Sequence, residues 1–241
     1  MDSISLYDCA PSIREICDLR WEDASIDTLT SVAWAYYFFS IQFRENLHAA
    51  RTLHPEDQNL IRLEEEECDT ANLSPWPCVA KPGECMNHDE FMRRALELSP
   101  VTPMKRAFYS GYGAAYLDYV RAMPLTAQAA SIGSYEGGGL EAVFRAFLTA
   151  PNWEGPLLQA FRHFLIQHIH FDSDVEHGHS ALSRHLAVDR HTSSFWHHFR
   201  DLLVLCAPEL SARAEVPLQP GIPPVFAVST GVFTPGLETA S

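Results

Sequence analysis

The segment Ile26–Leu53, which reads IDTLTSVAWAYYFFSIQFRENLHAARTL, decides the fold class of this chain. Its apolar residues recur at the spacing of an α-helix, and it contains neither proline nor glycine. Ser25 or Asp27 can cap its first turn, since short polar side chains accept hydrogen bonds from the exposed amides there. The sequence therefore predicts a long first helix.

Further helical segments follow, and loops rich in proline or glycine separate them. No stretch shows the alternation of a β-strand, so an all-α fold is expected. We predict one helical domain over residues 1–215 and a proline-rich tail, wrapped or disordered, over 216–241. The predicted helices run from Pro55 to about Asp69, from an Asn87 cap to near Pro100, over Pro103–Met123, over Thr126–Leu148 with a bend at Gly137–Gly139, from Trp153 to about Ala187, and over Ser194–Ala214.

Composition limits the classes of partner. The 241 residues suffice for a full hydrophobic core and carry a net charge of −14, with lysine only at Lys81 and Lys105. A nucleic acid or an anionic membrane is therefore not expected as a partner. No apolar run reaches the length of a membrane span, and no secretory signal is visible, so we expect a cytoplasmic protein.

The six cysteines form no CxxC pair, which suits a reducing compartment. One zinc site remains an open alternative, although its spacing does not resemble that of a zinc module. Its ligands would be Cys68, Cys78, Cys85 and His88.

The segment Gln167–Gly178, QHIHFDSDVEHG, contains a candidate metal-binding pattern. His170, Asp174 and His177 fall within a sector of roughly 60° on one helix, with the two histidines roughly 10 Å apart along its axis. This distance favours two ions about 3.5 to 4 Å apart over a single ion. A competing register, His168 with Asp172 and His179, spreads over roughly 16 Å, and a solvated polar face is the alternative without metal.

Other candidate ligands lie earlier in the chain. Glu64–Glu67 is a run of four acids at the end of a predicted helix, of which one or two can face inward. His88 stands near the start of the next helix. Glu136 precedes three glycines in an apolar segment, where an unpaired carboxylate would be costly if buried. Each of these residues taken alone fits a structural role at least as well as a metal site.

Taken together, the candidates resemble a known family. The order Glu66/Glu67, His88, Glu136, then His170-x3-Asp174-x2-His177-Gly178 is similar to that of the heme-oxygenase-like diiron oxidase superfamily, including its branch of iron-containing redox enzymes. Glu66-Glu67-Cys68-Asp69 is a second local match, and the resemblance covers Leu60 to Gly178. The long loop before His88 and the glycine triplet depart from the family pattern.

The resemblance implies a seven-helix bundle that binds two Fe(II) ions and no heme. The implied ligands are Glu66 or Glu67, with a slight preference for Glu66, and His88, Glu136, His170, Asp174 and His177. It also implies an oxidase or oxygenase of specialised biosynthesis, which uses dioxygen to oxidise a small substrate such as an amino acid. Amine N-oxygenation, C–C cleavage and nitrile formation are the reactions expected.

Substrate contacts are predicted on two aromatic helical faces. Tyr37 and Phe38 lie on the first and Tyr112 on the second, while Lys105 or Arg106 is available for a substrate carboxylate. Such aromatic stripes are more often ordinary core than pocket lining. The oligomeric state stays open, a homodimer included.

Three alternative functions remain. A metal-free relative on the same scaffold would be either a thiaminase-like hydrolase or a cofactor-maturation oxidase. The hydrolase needs a cysteine nucleophile, and no cysteine here has a histidine partner close in sequence. A metal-storing or purely structural helical protein without catalytic activity is the third.

Overall fold

A computed structural model describes residues 9–68, 75–172, 182–183, 185–186 and 191–211. Helices account for most of these residues, and no named β-strand occurs among them. The predicted all-α class is therefore confirmed. The helices are α1 (Ala10–Cys17), α2 (Ile26–Leu53), α3 (Gln58–Glu67), α4 (His88–Glu97), α5 (Pro103–Arg121), α6 (Leu125–Ser134), α7 (Leu140–Phe147), α8 (Pro156–Asp172) and α9 (Thr192–Cys206).

Helix α2 is the central element, and its predicted bounds are confirmed. The Ser25 hydroxyl accepts a hydrogen bond from the Thr28 amide at 3.1 Å, which caps the first turn. Buried side chains lie on nearly every face of α2, and the helix contacts α3, α4, α5, α6, α8 and α9. A helix that is apolar on nearly all sides must be surrounded, so α2 organises the core.

Two predicted helix starts are wrong by three residues. Helix α3 begins at Gln58 rather than near Pro55, because the Asp57 carboxylate accepts hydrogen bonds from the amides of Asn59 (2.9 Å) and Leu60 (3.2 Å) and caps the helix there. Helix α8 begins at Pro156 rather than Trp153. Gly155 has a φ of +88°, a left-handed conformation that does not belong to a right-handed helix.

Three further differences concern whole elements and helix ends. Helix α1, with Pro11 in its first turn, was not predicted. Helix α9 ends at Cys206 rather than Ala214, because Ala207 leaves helical geometry (φ −136°, ψ 74°) and Pro208 follows. Helix α8 is described only to Asp172, and His185 and Leu186, which the predicted helix would include, are not helical.

The segment Tyr135–Gly139, hereafter the kink, joins α6 to α7 through a widened π-type turn and confirms the predicted bend. Gly138 has a φ of +98°, which favours glycine. At Gly139 an added Cβ would lie 2.4 Å from the Ser134 carbonyl oxygen and 2.6 Å from Trp196, so only glycine fits. The kink therefore depends on residues without side chains.

The described helices share one hydrophobic core built around α2. Among them, none has the length and apolar character needed to cross a lipid bilayer.

Candidate metal centre

Three helices bring one ligand-type side chain each to a common point beside α2. Glu67 follows Leu60 and Leu63 on the buried face of α3. His88 opens α4, on the face that it shares with the buried side chains of Phe91 and Met92. Among the described residues, only one set of three His, Cys, Asp or Glu side chains converges on a common point, and it combines Glu67 and His88 with a histidine of α8. The set is Glu67, His88 and His168, whose ligand atoms all lie within 4.8 Å of one another.

The distances within this cluster fit a shared metal ion. His88 Nδ1 lies 3.0 Å from Glu67 Oε2 and 3.4 Å from His168 Nε2. Ligands at right or tetrahedral angles around an ion, with bonds of about 2.1 Å, are separated by about 3.0 to 3.4 Å. A divalent ion would therefore need little rearrangement of the three side chains.

The hydrogen bonds of His168 prepare one ring nitrogen for binding. His168 Nδ1 lies 2.9 Å from the Phe164 carbonyl oxygen, which can only accept, so Nδ1 carries the proton. The lone pair of His168 Nε2 then faces His88 Nδ1. A second-shell bond of this kind fixes the tautomer and orientation of many metal-binding histidines.

Without metal, a proton on His88 Nδ1 occupies the point where the three side chains meet. Two acceptors, Glu67 Oε2 and His168 Nε2, face this nitrogen at 3.0 and 3.4 Å, so Nδ1 donates to them. Glu67 and His88 are both buried. A cation that binds through His88 Nδ1 takes the place of this proton, which a neutral imidazole can carry on Nε2 instead.

Glu136 also lines the cavity beside this cluster. This carboxylate, carried by the kink, is 5% exposed and borders the cavity together with Glu67, His88 and His168. The cavity has about 10 Å³ of room for the centre of a water-sized sphere, which is enough for about one water molecule or one ion. A cation in this cavity would lie beside two carboxylates, whose charges would offset part of the cost of burying it.

Aromatic and aliphatic side chains form the rest of the cavity wall. Tyr36, Phe39, Phe43 and Leu140 line it. The ring of Tyr36 also lies between 5.4 and 5.6 Å from those of Phe144, Phe161 and Phe164. This shell limits water around Glu67, His88 and Glu136, which are buried, while His168 is partly exposed, and a low dielectric strengthens the electrostatic interactions among them.

The structure departs from the sequence prediction at two predicted ligands. Glu66 is partly buried and pairs with Arg62 at 2.6 Å, whereas the adjacent Glu67 lies on the buried face of α3. His170 is exposed, whereas His168, from the competing register, joins the cluster. Two residues along a helix correspond to a rotation of roughly 200°, so these histidines face opposite sides of α8.

The remaining predicted ligands have different positions. His88 and Glu136 both line the cavity. Asp174 and His177 lie outside the described residues. The signal that favours His168 was present in the sequence, because His168 follows the buried Phe161, Phe164 and Leu165 at the spacing of one helix face.

The five predicted substrate contacts do not line this cavity. The ring of Phe38 packs against Gly113 of α5, and Tyr37 is half-buried beside it. Lys105 lies 3.5 Å from Asp27 at the surface, and the Arg106 guanidinium lies 5.9 Å from the centroid of Trp34. Tyr112 stacks on the exposed Phe108.

The cysteines do not form the alternative zinc site within the described part of the chain. Cys78 and Cys85 are exposed. Burial, followed by the charges of Glu67 and Glu64, raises the pKa of the Cys68 thiol to about 12. Cys68 is therefore protonated at neutral pH, and the same carboxylates make the end of α3 attractive to a cation.

Comparisons of the chain with protein-family models, with curated proteins and with solved structures find no match.

Proposed function

We propose that this chain is a non-heme iron oxidase or oxygenase of the heme-oxygenase-like type, with its metal centre at Glu67, His88, His168 and Glu136. The convergence of one carboxylate and two imidazoles at 3.0 and 3.4 Å carries the proposal. Two histidines and one carboxylate around an ion leave coordination positions open, as in the non-heme iron enzymes that activate oxygen. The chemistry that bound iron supplies is the reduction of dioxygen, which amino-acid side chains cannot carry out.

The protein's own part is to hold and insulate the ion. Glu67 and Glu136 together supply two negative charges, which balance a divalent cation in a site of low dielectric. Phe164 fixes the tautomer of His168 through its carbonyl oxygen.

The proposed substrate is a small molecule, an amino acid or a compound derived from one, in line with the family resemblance. The cavity of about 10 Å³ holds an ion but no organic molecule. We therefore propose that the substrate binds next to the cavity wall and not within the cavity described above. The second iron implied by the resemblance would bind to Asp174 and His177, which lie outside the described residues. The number of iron ions bound per chain is therefore the first quantity to measure.

A metal-binding protein without catalytic activity is the second candidate. The small volume of the cavity favours it, because such a protein needs room for the ion alone. The thiaminase-like hydrolase has less support. Burial raises the pKa values of both Cys68 and Cys206 to about 12, so neither thiol is a ready nucleophile.

Anaerobic loading with Fe(II), followed by exposure to dioxygen, tests the proposal. We expect tight iron binding that His88→Ala abolishes, and oxygen consumption that an amino-acid or fatty-acid substrate panel accelerates. Binding of one iron per chain would limit the site to the residues named here, whereas two would require further ligands. Iron binding without any substrate-dependent oxygen consumption would favour the non-catalytic candidate, and no iron binding would refute both.

A further inference from the structure

The kink that carries Glu136 has no large side chains of its own between Glu136 and Leu140. Gly137, Gly138 and Gly139 follow the carboxylate directly, and the backbone leaves helical geometry at the first two. A metal ligand must be held to within about 0.5 Å of its productive position. The residues that hold Glu136 must therefore lie on either side of the glycines or on neighbouring helices.

Two buried hydrogen bonds hold the N-terminal side of the kink. Gln42 of α2 donates from Nε2 to the Tyr135 hydroxyl at 2.8 Å, immediately before Glu136. Trp196 of α9 donates from Nε1 to the Ser134 hydroxyl at 3.0 Å. Gln42, Ser134 and Trp196 are fully buried, and Tyr135 is 1% exposed, so water does not compete for these bonds.

Ring packing holds the same segment from two further directions. The Tyr135 ring lies 5.2 Å from Phe39 and 6.0 Å from Phe43, both of which also line the metal cavity. The indole of Trp196 lies 5.0 Å from Tyr135 and fits against the backbone of Gly139. The C-terminal side of the kink is therefore fixed by the same tryptophan.

The environment of the Tyr135 hydroxyl suits a positioning role and not proton transfer. Burial raises the pKa of Tyr135 well above its usual range, and the partners of the hydroxyl are the Gln42 amide and Ser131, neither of which is a base. Tyr116 donates its own hydroxyl hydrogen to Gln42 Oε1 and so fixes the direction of the amide. The phenol therefore stays neutral and acts as an anchor.

We infer that the Gln42–Tyr135 bond is a positioning contact for Glu136 and sets the metal affinity of the proposed centre. Gln42 and Tyr135 do not touch the ion in this arrangement, and they act through the backbone that joins Tyr135 to Glu136. Second-shell contacts of this kind change metal affinity by about 10- to 100-fold. The inference rests on the proposed function, since it requires that Glu136 binds metal.

A matched pair of variants isolates the effect. Tyr135→Phe removes the hydroxyl that anchors the kink but keeps the ring, while Tyr116→Phe removes the hydroxyl at the other end of the Gln42 amide and keeps both partners of the Gln42–Tyr135 bond. Tyr135→Phe loses the buried bonds to Gln42 and Ser131, and Tyr116→Phe loses the buried bond to Gln42, so both variants should lose thermal stability. A purely structural role would therefore change both variants alike.

The probe is Co²⁺ alone, with affinity from calorimetric titration and coordination geometry from the visible d–d spectrum. We expect Tyr135→Phe to bind Co²⁺ about 10- to 100-fold more weakly than the unaltered chain, with a changed spectrum. Tyr116→Phe should stay within about threefold. If Tyr135→Phe does not fold, Gln42→Leu removes the same bond from the other side and should show the same loss.

A double-mutant cycle with Glu136→Gln identifies the route of the effect. In the Glu136→Gln background, Tyr135→Phe should weaken Co²⁺ binding by less than about threefold, because the ligand that it positions is already altered. A full additional loss, or equal affinities of Tyr135→Phe and Tyr116→Phe, would overturn this inference while leaving the metal centre in place. No Co²⁺ binding by the unaltered chain would overturn the proposed function as well.

Discussion

The two sides of the candidate metal centre are built in different ways. On one side Glu67, His88 and His168 stand on regular helices, and His88 contacts both of the others directly. On the other side Glu136 stands on a kink that neighbouring helices hold in place. We call these the contact side and the clamped side.

This difference separates two ways in which a sequence can position a ligand. On the contact side, the ligands position one another, so their helical spacing and their mutual hydrogen bonds are sufficient. On the clamped side, the position depends on glycines and on residues of α2 and α9 that do not bind the ion. Changes of ligand and changes of packing should therefore affect the two sides differently.

Replacement of the α8 histidines should produce the largest effect. His168→Ala removes a ligand of the contact side, so metal affinity should fall by more than about 100-fold, beyond the usual effect of second-shell changes. His170→Ala is the matched control, since His170 is exposed on the same helix, and it should change affinity by less than about threefold. Titration with Fe(II) or Co²⁺ under anaerobic conditions measures both.

An equal loss in the two histidine variants would show that α8 binds metal through both faces. A large loss in His170→Ala alone would restore the register with Asp174 and His177 and would place the centre elsewhere on α8. Either result would remove the contact side as defined here.

Gly139→Ala should be the most damaging single change on the clamped side. Its Cβ would lie 2.4 Å from the Ser134 carbonyl oxygen and 2.6 Å from Trp196, and the backbone atom cannot move away easily. Overpacking of this kind costs about 1 to 3 kcal/mol in the free energy of unfolding, and displacement of the kink should also weaken metal binding. Urea unfolding and Co²⁺ titration of the same variant test the two effects together.

If Gly139→Ala lowers stability while Co²⁺ affinity is unchanged, Glu136 is not a ligand or the kink absorbs the strain elsewhere. If both quantities are unchanged, the close approach of Trp196 to the kink is not maintained in solution.

The sequence was most informative for the long regular helices. The bounds of α2 follow from its uninterrupted apolar spacing and the Ser25 cap, and the glycine triplet predicted the interruption after Glu136. Helix ends that depend on a local hydrogen bond or on one backbone angle were less predictable. The start of α3 at the Asp57 cap and the end of α9 at Ala207 are both of this kind.

For the site, the residue types were easier to predict than the faces on which they stand. His88 and Glu136 line the cavity, and beside them stand Glu67 and His168, whereas the sequence favoured Glu66 and His170 as ligands. Spacing among polar residues alone cannot show which face of a helix is buried. The apolar neighbours Leu63 on α3 and Phe164 on α8 define that face, and they are the better guide.

Gly111→Ala tests a glycine in a regular helix, for comparison with Gly139 in the kink. Gly111 lies inside α5, and apart from the neighbouring backbone of its own helix no described residue lies within 4 Å of the position that its Cβ would take. Alanine favours helix over glycine by about 0.8 to 1.0 kcal/mol, so this change should stabilise the chain by about that amount and leave metal affinity unchanged. A destabilised Gly111→Ala variant would mean that α5 has a partner on this face in solution.

The smallest expected effect is the change with pH in the free energy of unfolding that His198 contributes. His198 stands on α9, whose Trp196 packs against the kink on the clamped side. Burial, and secondarily the charge of His197, lowers the pKa of His198 to about 4 from an ordinary value of 6.5. The unfolded chain therefore takes up the proton first as the pH falls. The stability from neutral His198 is complete above about pH 6.5 and is lost as the pH falls toward about 4.

This loss should stay below about 1 kcal/mol, because His198 keeps partial contact with solvent, which screens the interaction. Asp201 contributes in the opposite direction, since burial raises its pKa and its protonation favours the folded state. The test is therefore the difference in unfolding free energy between the unaltered chain and His198→Gln, measured metal-free in urea at pH 7 and pH 4.5. Contributions of Asp201 and of the metal ligands cancel in this difference. The glutamine variant should lose less stability in acid than the unaltered chain. Equal losses would show that His198 takes up a proton as easily in the folded chain as in the unfolded one. The packing of α9 beside the kink would then be looser than described.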